Sequence, residues 1–223
     1  GGSIVDPQEY IQHWNYYCSL AARFDGTKDY LYHGFCQNED GRSLMIHGDV
    51  YSDIFKQIII LSASEFEIIA KAICQANGEK ARNIKSITNI LLKHFPNLPK
   101  TEIMTPFCTA TPLQDWRVEE DKVFGLDWWK AYNPLKHNET DSYRKATLEN
   151  AFLSVATLYI LNLYLMYLLF GSLAMAYNLP PVYFRSKYTA YSVNSGEGSL
   201  PDWGNKSPFE KAAENYPEWF KLQ

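Results

Sequence analysis

The sequence predicts an all-α protein, an antiparallel helical bundle with a long central C-terminal helix and an irregular, aromatic-rich tail. Three observations predict it. Apolar residues recur at helical spacing over several long stretches, each bounded by a capping or breaking signal. The stretch from Ala151 to Ala176 carries no charged residue. From Val182 onward the periodicity stops and Tyr, Ser and Gly take over.

At 223 residues the chain can bury a sizeable core as one domain or as a domain with a tail. The expected division is a helical domain over 1–181 and an extension over 182–223 that packs on the bundle through a short terminal helix. Gly1-Gly2-Ser3 reads as an appended remnant, and no signal peptide is expected. A net charge of −4 argues against a generally basic nucleic-acid coat but leaves room for a local basic patch. Cys18, Cys36, Cys74 and Cys108 are widely spaced, with no CxxC and no Cys/His ligand pattern. A reduced, cytoplasmic protein without metal or cofactor is therefore expected.

Asp6-Pro7-Gln8-Glu9 is a helix start: Asp6 accepts from orphan amides, Pro7 suits the first turn, and Glu9 completes a capping box. Ile11, Trp14, Cys18 and Ala21 then repeat at helical spacing, which carries a first helix to about Phe24. Tyr30-Leu31-Tyr32 is ambiguous, and residues Gln37 to Arg42 form a polar turn around Asp40-Gly41. A second helix is predicted from about Val50 to Ala76, stopped by Asn77-Gly78. Its apolar stripe is expected to hold Ile54, Ile58, Leu61, Ile68, Ile69 and Ala72, with Glu65 in the middle. A carboxylate on an apolar face needs a partner, because burying an unpaired charge costs several kcal/mol. Glu65 either pairs with a structural Lys, Arg or backbone amide, or orients a catalytic group on a neighbouring helix.

A third helix is expected over Glu79 to Phe95, ended by Pro96 and Pro99. The Thr- and Pro-rich run from Thr101 to Asp115 predicts an extended loop with room for a short strand. A short helix starts near Asp127, and Pro134 is expected to break or kink it. After a polar turn over Asn138 to Ser142, Thr147 or a residue just before it caps the long helix, which ends by Asn178-Leu179-Pro180-Pro181. Ser207-Pro208-Phe209-Glu210 is a second capping box, opening the terminal helix.

The long apolar segment is long enough to cross a bilayer. Ser154, Thr157, Asn162 and Ser172 punctuate it, and Tyr159, Tyr164 and Tyr167 sit near its centre, whereas Tyr in a spanning helix crowds the interfaces. A central bundle helix is the reading, with no membrane.

The densest polar chemistry lies just ahead of that helix, in Trp128-Trp129-Lys130-Ala131-Tyr132-Asn133-Pro134-Leu135-Lys136-His137. Lys130, Lys136, Arg144 and Lys145 surround His137 in an acidic chain, which suits an anion such as phosphate. A neutral imidazole can exchange protons near physiological pH. On RNA it could deprotonate the 2′-hydroxyl or protonate the leaving oxygen, with cations stabilising the transition state. The plain alternative is a solvated charged loop. His13, His33, His47 and His94 lack such company and read as structural. Trp128 and Trp129 could stack bases, but two adjacent Trp beside a Pro read more simply as core anchors.

Ser64-Glu65-Phe66-Glu67 running to Lys71, then Tyr132-Asn133 and Lys136-His137 ahead of an Ala/Leu-rich last helix, resemble the HEPN superfamily of bacterial and archaeal proteins. The resemblance spans about Val50 to Leu169. It implies an all-α bundle that forms homodimers and, in active members, a metal-independent endoribonuclease of defence or stress systems. In those members an Arg, often followed by Asn, stands shortly before the catalytic His. His137 matches that His, Asn133 the polar residue, and Tyr132 occupies the Arg position. A phenol cannot make the bidentate phosphate contact of a guanidinium, so Lys130 or Lys136 would have to substitute. Glu65, Tyr132 and Arg144 are supporting candidates. The expectation is an RNA-acting protein, with a catalytically inactive dimerisation module or protein-binding partner as the alternative.

Overall fold

The computed structural model describes residues 7–170 and 182–186. Five α-helices dominate them: α1 (Pro7–Gly26), α2 (Asp53–Ala76), α3 (Ile84–His94), α4 (Asp127–Lys136) and α5 (Leu148–Phe170). The expected residue-6 cap, the end of the long helix and the terminal helix at Ser207 lie outside the described residues.

Local chemistry sets most boundaries. Ser52 caps α2 by accepting from the Phe55 amide, and Asn77 ends it ahead of Gly78 at φ 82. Thr147 Oγ1 accepts from the Asn150 amide at the start of α5. α3 is shorter than expected: Asn83 and Ser86 form a capping box, so the chain from Glu79 to Arg82 stays outside the helix. Pro134 does not break α4, which continues to Lys136. So close to the helix end, the missing N–H frees only one carbonyl.

The connections hold three small antiparallel hairpins: β1 (Phe35–Gln37) with β2 (Ser43–Met45), β3 (Ile103–Met104) with β4 (Thr109–Ala110), and β5 (Arg117–Glu119) with β6 (Lys122–Phe124). The first encloses the anticipated turn, with Gly41 at φ 76, and the second lies in the Thr/Pro loop. The third was not anticipated. Its turn takes positive φ at Glu120 and Asp121, a conformation usually given to Asn or Gly. Gly125, at φ 84, follows it and passes so close to Asp115 that a Cβ would overlap the Asp115 carbonyl. That close passage sets the entry of α4.

α5 is the centre. The span Leu148–Leu169 is long and apolar enough to cross a membrane, but nearly all of its residues are buried inside the protein. Most of its polar groups bond to its own backbone: Ser154 and Thr157 donate to the carbonyls of Ala151 and Leu153, and the Asn162 amide nitrogen donates to Leu158, whereas Asn162 Oδ1 is buried with no hydrogen-bond partner among the described residues. α1, α2 and α4 pack on α5, and α3 packs on α2. The expected stripe of α2 is displaced. Phe55, Ile58, Ile59, Ser62, Phe66, Ile69 and Ile73 are buried, whereas Ile68 is 53% exposed. Ile54, Leu61 and Ala72 are only half-buried. α2 touches four helices, so its buried arc is wider than one stripe and centred one position along.

Residues 182–186 lie against the bundle. Arg185 exchanges backbone hydrogen bonds with Met104, and Tyr17 donates to the Val182 carbonyl. Phe184 stacks on Tyr159, which packs against Tyr17 and Trp14.

Candidate functional site

α4 positions the nominated residues. Trp128, Ala131 and Leu135 are its buried side. The Trp128 ring meets Phe66 edge-on at 5.1 Å, and Trp129, half-buried, packs on Phe66 at 5.5 Å and Tyr132 at 5.4 Å. Both indoles therefore act as anchors between α4 and α2. At about 100° per residue, Lys130, Asn133, Lys136 and His137 fall within roughly 120° of the opposite side. All four are exposed.

His137 closes α4: its amide donates to the Asn133 carbonyl at 3.1 Å. Among the described residues no side chain is bonded to its imidazole. The two lysines diverge. Lys130 lies over the Phe124 ring at 5.6 Å, beside Arg117, which covers the same ring at 5.0 Å. Lys136 lies over Tyr132 at 5.6 Å. Tyr132, in the Arg position of the resemblance, is thus a half-buried packing ring between Trp129 and Lys136. Lys56, on the first turn of α2, donates to Asn138 and joins α2 to the turn after His137. Arg144 sits over Tyr143 at 5.7 Å.

Glu65 does not join this face. It is 8% exposed, and its Oε1 lies 2.5 Å from Nδ1 of His13 on α1. The partner is neither the Lys, Arg or amide of one sequence reading nor a residue of the α4 site. Of the second reading, a catalytic group on a neighbouring helix oriented by Glu65, only the neighbouring helix is found: the partner is His13, expected to be a structural histidine. His13 stands next to Trp14 on α1, at the margin of the buried face. The placement of Glu65 in an apolar stripe is the signal that it needs a hydrogen-bonding partner.

His33 is structural, with a complete set of partners. It is fully buried against Phe24 at 4.7 Å. Thr27 gives its hydroxyl proton to the Phe24 carbonyl, so its oxygen accepts from His33 Nε2 at 2.8 Å. Nδ1 then accepts from the Tyr183 hydroxyl at 2.9 Å. Burial is the main reason the imidazole pKa is lowered to about 4; Lys28 also lowers it and Asp25 opposes. Lys93 and His94 both pair with Glu79, and their hydrogen bonds, that of Lys93 first, hold the Glu79 carboxyl below its usual range. All four cysteines are unpaired thiols, and burial pushes Cys74 up to about 12.

No protein-family model, curated protein or solved structure matches the chain. The architecture and the α4 face thus stand on their own chemistry.

Proposed function

We propose that the protein is a HEPN-like RNA-acting protein in which the exposed face of α4 engages the phosphate backbone and His137 transfers the proton. The observation that carries this reading is the His137 imidazole, which has no side-chain partner among the described residues and lies on a face that also presents Lys130, Asn133 and Lys136. Lys130 and Lys136 rest on the rings of Phe124 and Tyr132 yet stay exposed, whereas Trp128, Ala131 and Leu135 on the opposite side are consumed by the core. As general base, His137 would take the 2′-hydroxyl proton while the 2′-oxygen attacks phosphorus and the 5′-oxygen leaves. The leaving oxygen needs a proton in turn. One face offers a single His, so in this reading a second copy of the chain supplies the other, which gives the expected homodimer a chemical purpose.

A second reading is favoured by Tyr132. Held between Trp129 and Lys136, it cannot swing out as a guanidinium could to clamp the phosphate. The face would then bind without cutting, as a helical interaction module.

Incubation with total RNA in chelator separates the two. The nuclease reading expects fragments that disappear in His137→Ala with an unchanged thermal midpoint. Equal cutting by wild type and His137→Ala sinks it. RNA binding without cutting by the wild type, with cutting gained in Tyr132→Arg, supports the binding module with a degenerate site.

A further inference from the structure

Five of the eleven large apolar side chains exposed among the described residues fall at the end of the bundle where α2 and α5 begin. Leu44, Ile46, Val50 and Tyr51 lie on the stretch leading into α2, and Tyr143 lies on the turn before α5. Single exposed apolar residues are ordinary, but a contiguous group marks a surface that meets something. Backbone bonds join the two stretches: Ser52 donates to the Ala146 carbonyl, Leu148 to that of Val50, and Glu149 to that of Gly48. The Tyr51 and Tyr143 rings meet across this seam at 5.5 Å, edge to face. A patch held in this way is already ordered, so covering it costs little in lost backbone freedom.

The charges beside the seam decide what covers it. Asp49 and Asp53 flank Val50 and Tyr51 on one side, and Arg144 and Lys145 follow Tyr143 on the other. All four are exposed, and none forms an ion pair among the described residues. A polyanion would be repelled by the two aspartates, and a basic segment by Arg144 and Lys145. The complement is an apolar surface that carries the same two signs in reversed order. A second copy, turned by a two-fold axis through the seam, is such a surface, because an isologous contact sets residue i against j and j against i. Glu139 and Asp141, on the turn after α4, lower the contrast on the basic side but pair with neither cation. We propose that this end of the bundle is a two-fold interface between copies of the chain. Its apolar centre is Leu44, Ile46, Val50, Tyr51 and Tyr143, and Asp49 and Asp53 of one copy face the partner's Arg144 and the partner's Lys145. An apolar centre inside a charged rim is the usual anatomy of a protein–protein contact. Such a dimer forms whether or not the α4 face acts on RNA.

The test is sedimentation equilibrium of the full chain from about 1 to 100 μM, with circular dichroism to check that each variant is folded. The wild type should reach twice the chain mass within that range. Asp49→Lys with Asp53→Lys makes both sides of the seam basic, and Arg144→Glu with Lys145→Glu makes both acidic. Each double variant alone should dimerise at least about tenfold more weakly, because like charges then face each other across the two-fold. An equimolar mixture of the two should regain the wild-type mass, since every reversed charge again meets its opposite. Leu44→Glu with Ile46→Glu tests the apolar centre separately and should also yield monomers. A wild type that stays at the chain mass throughout overturns the interface and leaves the patch to a different protein. A dimer that persists in all three variants places the contact on another face and overturns the assignment. Two charge variants that are folded monomers apart and remain monomers when mixed overturn the two-fold pairing.

Discussion

The two sides of α4 follow different rules although they share ten residues. On the inner side, Trp128 fills the space against Phe66, and Ala131 and Leu135 continue the contact toward the core. On the outer side, Lys130 and Lys136 rest on neighbouring rings and His137 is bonded to no side chain among the described residues. The inner residues are explained by the volume they fill. The outer ones are not, since a surface helix could carry almost any polar set there. Chemistry that the fold uses least is the part that points outward.

That contrast breaks most visibly through its inner side. Trp128→Ala should lower unfolding free energy by about 3–5 kcal/mol, the usual cost of removing a fully buried large aromatic ring and leaving a cavity. Trp129→Ala should cost clearly less, because half-burial leaves solvent room to fill the gap. Urea denaturation of both variants measures the difference. Equal losses would mean that the second indole is as much an anchor as the first.

The same distinction extends to the histidines, and pH sharpens it. His33 is an inner histidine whose neutral form the folded state prefers, with a pKa near 4 against 6.5 for an unperturbed imidazole. Below pH 6.5 the unfolded chain takes up a proton that the folded chain refuses. Stability is therefore fully present above about pH 6.5 and falls as pH drops toward 4. Between about pH 7.5 and 5 the loss from this group should be about 2 kcal/mol. His33→Gln should start lower at neutral pH, through imperfect bonding to Thr27 and Tyr183, but should lose less on acidification. Parallel slopes for the two proteins in urea melts at both pH values would remove the argument.

Some of this was legible in the sequence, and the reason is range. Asn77-Gly78 and Thr147 mark helix ends because a cap acts on residues a turn away; the Ser52 cap of α2 did not show, and the expected start lay near Val50. The pairing of Asn133 with His137 follows from a spacing of one helical turn. Contacts between distant segments were not legible. The buried arc of α2 depends on four neighbouring helices, so Ile68 could be placed in the stripe and yet emerge at the surface. Glu65 announced that it needed a partner, but which residue on α1 reached it depends on how two helices are set against each other. The direction of Lys130 was hidden for the same reason, since Phe124 belongs to a hairpin whose turn residues, Glu120-Asp121, gave no Gly or Asn signal.

The smallest effect is the most informative for function. His137→Ala should change unfolding free energy by no more than about 0.5 kcal/mol, as exposed substitutions do. The backbone bond from residue 137 to Asn133 survives the change, and no side-chain hydrogen bond or ion pair is broken among the described residues. Any activity lost in that variant can then be attributed to the imidazole and not to unfolding. A drop of 2 kcal/mol or more would reverse the inference, because it would place His137 among the residues that the fold itself consumes. His137 would then join His33 as a structural histidine, and the outer face of α4 would no longer hold a proton carrier free to act on a ligand.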